Sequence, residues 1–170
     1  MAISAGRASW HARPVPPVRS SGVLLFRMDG GHVQVLLGHM GGPFWSRKDD
    51  AAWSLPKGEY LDDEPAEAAA RREFAEELGI PVPDGPLVPL GEVRQPSGKR
   101  LTVWAVEGDL DVSTVRPGTF ALEWPPRSGR SQDFAEIDRA EWFDVEVARV
   151  KLVKGQRAFL DLLLQALSDG

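Results

Sequence analysis

Cysteine is absent from this 170-residue chain. Disulfides, zinc–thiolate sites and thiol nucleophiles are therefore excluded, and an oxidising compartment gains no support. No apolar run approaches the roughly 18 residues needed to cross a bilayer. The first twenty residues, MAISAGRASWHARPVPPVRS, also lack the apolar stretch of a secretory signal. Positive charge is scarce: 20 Lys and Arg against 25 Asp and Glu leave a formal net charge of −5. That balance argues against broad binding to nucleic acid or to anionic membranes. The expectation is a cytoplasmic enzyme or binding domain with a small-molecule partner. Oligomeric state is left open.

What is present suits one domain with a proper core, at 42% hydrophobic and 26% charged residues. Residues 1–19, rich in Pro, Arg and Ser, predict a flexible tail, and 20–170 a single domain. Two β-rich runs flank Asp29-Gly30-Gly31 and predict a hairpin, because glycine accepts the positive φ of a tight turn. A loop over 40–52 carries Phe44 and Trp45, and a short strand at 53–55 leads into Pro56-Lys57-Gly58. Pro65 near the start and Gly79 just past the end predict a helix over 64–78, with Ala66, Ala70, Phe74 and Leu78 as its apolar side. Two strands joined at Pro96-Ser97-Gly98 follow. Residues 111–135 read as a long surface loop, 141–145 as a last strand, and KGQRAFLDLLLQAL as a closing amphipathic helix.

The stretch LPKGEYLDDEPAEAAARREFAEELGI sets Glu73, Glu76 and Glu77 on one short helix. Like charges three and four apart on a helix repel by a few tenths of a kcal/mol, on the order of 0.2–0.5 per pair. Such a grouping calls for a positive partner. Residues i, i+3 and i+4 lie within about 100° of the helix circumference, so the three carboxylates converge on one patch. Carboxylate oxygens suit hard ions such as Mg²⁺ or Mn²⁺, which keep several waters and pair with substrate phosphates. Arg72 lies within helical reach of the same acids. A solvated acidic helix face is the plainer alternative.

The spacing itself is more specific. Gly58, five residues, Glu64, seven residues, then Arg72-Glu73-Phe74-Ala75-Glu76-Glu77-Leu78-Gly79-Ile80 resembles the Nudix box at every constrained position. From average composition, such a match arises by chance on the order of once in ten million chains of this size. The resemblance implies an α/β fold with a mixed β-sheet sandwiched between helices. It implies metal-dependent hydrolysis of a nucleoside diphosphate linked to another group, X. By position it makes Glu73, Glu76 and Glu77 metal ligands, one of them a base through water, and adds the backbone carbonyl near Lys57-Gly58. Glu64 and Arg72 become orienting residues, with Gly58 and Gly79 structural. Glu136, separated from Trp142 by five residues, is similar to an extra metal-site acid of dinucleoside polyphosphate hydrolases, with Glu123 as the substitute.

The entry WSLPKG resembles the dinucleoside polyphosphate and nucleoside triphosphate branches, which makes Lys57 a phosphate ligand and Arg94, Lys99 and Arg100 supporting ones. Trp45 and Trp124, both in polar loops, are the candidate platforms for a base. Pro96 instead lies near a proline associated with ADP-ribose pyrophosphatases, and the downstream tyrosine of the dinucleoside polyphosphate enzymes is not found. The alternatives are therefore an ADP-ribose or nucleotide-sugar pyrophosphatase and, in another class, a non-catalytic nucleotide-binding module. The three histidines carry no recognisable ligand spacing and receive no role.

Overall fold

The computed structural model describes residues 16–170; most of the expected tail, including His11, lies outside the described residues. Strands β1 (Arg19–Asp29) and β2 (His32–Met40) form the expected hairpin, with Gly30 and Gly31 at φ of 56° and 82°. Next come β3 (Trp53–Ser54), β4 (Lys57–Tyr60), helix α1 (Ala66–Leu78), β5 (Val88–Arg94) and β6 (Arg100–Glu107). A second hairpin, β7 (Thr119–Glu123) and β8 (Ser131–Ala135), precedes β9 (Ile137–Asp144), α2 (Val145–Lys151) and α3 (Ala158–Ser168). The main sheet runs β3-β2-β1-β6-β5, with β4 paired to β1 and β9 to β2. It is mixed, because β1 lies parallel to β6 and antiparallel to β2 and β4.

Period-two alternation in β1 decides the layering. Val23 and Leu25 pack with Ala70, Phe74 and Leu78 of α1 on one face. Leu24 and Phe26 pack with Ala148 of α2 and with Phe159, Leu160 and Leu163 of α3 on the other. A mixed sheet between helices, as expected, is the result. No described helix is long and apolar enough to cross a membrane.

Three segments differ from the sequence reading. Residues 111–135 are not an irregular loop: they contain a short 3-10 turn and the five-register β7–β8 hairpin. Its strands hold only exposed and half-buried positions, so they lack the apolar contrast that marks a core strand. The last strand starts earlier, at Ile137, and the chain turns helical at Val145, giving an unexpected α2. Lys57 and Gly58, beyond the expected short strand, open a further strand, β4, opposite Gly22 and Ser21 of β1.

Candidate active site

Helix α1 starts after Pro65, which occupies the capping position, and ends at Gly79, whose φ of 69° lets its N–H reach the Ala75 carbonyl at 2.8 Å. Buried Ala69, Ala70, Phe74 and Leu78 fix the helix rotation. The acids are thereby turned toward β4 and the base of the β7–β8 hairpin.

Arg72 supplies the positive charge within the cluster. Its Nε and Nη2 donate to the two oxygens of Glu64 at 2.8 and 2.9 Å, a bidentate pair. Its Nη1 donates to Glu73 at 2.8 Å and to Glu76 at 3.2 Å. The hydrogen bonds from Arg72 hold Glu64 below the usual carboxylate range, and the guanidinium is raised in return, first by Glu64. Glu73 goes the other way, because burial outweighs the Arg72 bond. Gly58 explains that burial: a Cβ there would lie 2.0 Å from the Glu73 carboxyl carbon. The glycine makes room for a carboxylate.

Glu77 points away from Arg72. It lines a cleft of about 240 Å³ with Glu136, Lys57 and Ser54. Burial, ahead of the Glu136 and Glu73 charges, pushes its pKa up to about 8, although Lys57 opposes this through its charge and its backbone N–H. Glu136 is raised as well, first by partial desolvation of its carboxyl and then by Glu73 and Glu76. Its backbone is fastened on both sides: its N–H donates to Gly118 at 2.8 Å, and its carbonyl accepts from Gly41 at 3.0 Å. The extra acid is thus brought to the α1 acids across the sheet. Glu123 is not; it sits at the end of β7, accepting from Gly129.

Beside this cleft lies a cavity of about 770 Å³ that shares Met40, Trp45, Ser54 and Lys57 with it. Trp45 therefore lines both spaces. Trp124 does not line either space, packing edge-on against Phe44 at 5.5 Å. Arg94 is exposed at the end of β5, outside both. Sequence reasoning passed over His39, which is fully buried in β2. Its Nδ1 lies 2.9 Å from Asp138 and its Nε2 2.6 Å from the Lys48 carbonyl, so the ring pins the loop that carries Trp45. A buried histidine flanked by polar loops gives no signal of this in one dimension.

Among the described residues, no three acidic or histidine side chains are drawn into a ready-made metal cage. Arg72 accounts for part of this by engaging Glu73 and Glu76. The donor chemistry nevertheless fits a hard divalent ion. Glu77 and Glu136 crowd one cleft with raised pKa values and only Lys57 as a nearby cation lining it. Negative charge so concentrated and partly desolvated is stabilised by a cation.

The family model for the NUDIX domain matches residues 16–163. The sequence matches none of the curated proteins. Among solved structures, a binary complex of an Ap4A hydrolase from C. elegans superposes with a TM-score of 0.61 at 20% identity, covering 90% of this chain and 99% of that one. The NUDIX domain of Shewanella oneidensis NrtR complexed with ADP ribose gives 0.59 at 17% identity, covering 96% and 99%. The M. smegmatis Nudix hydrolase RenU gives 0.55 at 25% identity, covering 88% and 85%. The first two likenesses, at 20% and 17% identity, are likenesses of fold.

Proposed function

Because the chain belongs to the Nudix family of pyrophosphohydrolases, we propose that it hydrolyses the pyrophosphate linkage of a dinucleoside polyphosphate or nucleoside triphosphate. The observation that carries this reading is Lys57, in the wall shared by the acidic cleft and the larger cavity. A phosphate chain passing from one space to the other must cross that ammonium. Glu73, Glu76, Glu77 and Glu136, with the Lys57 carbonyl, would hold Mg²⁺ or Mn²⁺. Bound there, a divalent ion would neutralise phosphate oxygens and acidify water.

The chain's own residues do the rest. One of these acids serves as base through water, and we assign that role to Glu77, which lines the cleft beside Lys57. Arg72 orients Glu64 through two bonds and Glu73 through one. Lys57 holds the phosphate chain in line, and Trp45 offers an apolar face to a base.

Pro96 lines the larger cavity and keeps an ADP-ribose or nucleotide-sugar pyrophosphatase as the second reading. Product identity separates the two. Purified protein with Mg²⁺ and then Mn²⁺ should cleave dinucleoside polyphosphates or triphosphates. AMP and ribose phosphate from ADP-ribose, with the others untouched, would give the site to the second reading. Metal-independent nucleotide binding without turnover would instead make the chain a binding module.

The Glu77 carboxyl also predicts a pH effect. Its folded pKa of about 8 lies above the ordinary 4.5, so the metal-free fold binds the extra proton between those values. That stabilisation is complete below about 4.5 and is lost as the pH rises through about 8. A metal ion needs the carboxylate and must displace the proton. The rise in Tm on adding Mg²⁺ or Mn²⁺ should therefore be larger at pH 8 than at pH 6, measured by calorimetry. An equal or smaller rise at pH 8 would count against Glu77 as a ligand.

A further inference from the structure

The larger cavity differs in charge from the rest of the molecule. In a chain of net charge −5, its lining includes Lys57, Lys99 and Lys154 and no aspartate or glutamate. Met40, Trp45, Pro96 and Val153 supply apolar wall between the lysines. Lys57 and Lys154 form no salt bridge among the described residues, while Lys99 pairs with exposed Glu59 at 2.5 Å. An exposed pair of that kind stabilises little and yields readily to a more highly charged partner.

The wall that carries Lys154 is held rigidly. Gln156, fully buried two residues on, accepts from the Leu55 N–H at 2.9 Å and donates to the Ser54 hydroxyl at 2.9 Å. Gln95 donates to the Gly155 carbonyl at 2.8 Å. Two glutamines thus staple the turn between α2 and α3 to both sides of the cavity. A backbone already fixed beside the cavity need not be ordered again when an anion enters.

Resting on the hydrolase reading above, we propose that this cavity seats the part of the substrate beyond the scissile linkage, and that Lys154 holds a phosphate there. The substrate class is then a dinucleoside polyphosphate. It alone among the candidates places further phosphates and a second apolar base beyond the cut. The ribose phosphate of ADP-ribose has one anionic group for three lysines, and the pyrophosphate of a triphosphate leaves the apolar wall unused.

Lys154→Ala and Lys154→Arg provide the test, with calorimetric binding of inorganic tripolyphosphate to metal-free protein and kinetics on diadenosine tetraphosphate and ADP-ribose. Lys154→Ala should weaken tripolyphosphate binding and raise KM for the tetraphosphate about tenfold, with the effect falling on KM rather than kcat. Lys154→Arg should restore most of both, and wild-type binding should weaken with added salt. If the alanine variant binds tripolyphosphate like the wild type, the seat is overturned even where hydrolysis proceeds. If no substrate is cleaved but tripolyphosphate binding still depends on Lys154, the anion seat stands and the hydrolase reading falls.

Discussion

Glu77→Gln should lower kcat by about three orders of magnitude or more while leaving the fold intact. The change is isosteric, and the Lys57 N–H still finds an oxygen acceptor. On the proposed reading, what disappears is a carboxylate that binds metal and takes up a proton, an effect worth several kcal/mol of barrier, with each ~1.4 kcal/mol a factor of ten. The same substitution should raise the Tm of the metal-free protein at pH 8. There about half of the wild-type carboxyl groups are ionised, against the cost of burial and the Glu136 and Glu73 charges around them. Below about pH 4.5 the wild-type group is protonated folded and largely so unfolded, and the difference in Tm should close. Stabilisation by metal should shrink in the variant. Turnover near wild type in the metal-dependent assay would remove Glu77 from the site.

Gly58→Ala is expected to be nearly as damaging for a steric reason. The added Cβ would fall 2.0 Å from the Glu73 carboxyl carbon and one of its oxygens. The clash is with the end of a flexible side chain, so Glu73 swings aside and breaks its 2.8 Å bond from Arg72. Gly58 lies in β4 without the positive φ that would make alanine strained in itself. The protein should thus melt within a few degrees of wild type, yet lose kcat/KM by about 100-fold, the cost of displacing a catalytic group by about 1 Å. Activity within threefold of wild type would mean that the Glu73 position is not needed. A large drop in Tm would show the glycine to be structural.

The α1 half of the site was legible because it is local. Glu73, Glu76, Glu77 and Arg72 need only the helical period to meet, and Gly79 needs only a positive φ to end the helix. The hairpin at Gly30-Gly31, the apolar stripe through Phe74 and the layering of the sheet rest on periods of two and 3.6, which a sequence displays directly. The β7–β8 hairpin was not legible: its strands bury neither face fully, and Trp124-Pro125-Pro126 resembles any polar loop.

Trp45 and Trp124 looked alike in one dimension, each an aromatic among polar residues. Packing alone separated them, putting one on the cavity wall and the other against Phe44. Glu136 had an acid's chemistry from the start, but only the Gly118 and Gly41 backbone bonds carry it to Glu77. Lys154 and Gln156 gave no signal, since their meaning depends on Ser54 and Leu55, far away in the chain. The sequence by itself determined the helix that gathers the carboxylates, because short-range periodicity and spacing act within a few turns. Only the tertiary structure decided which distant charges complete the cleft and which line the cavity beside it, because those neighbours are chosen by strand pairing and core packing.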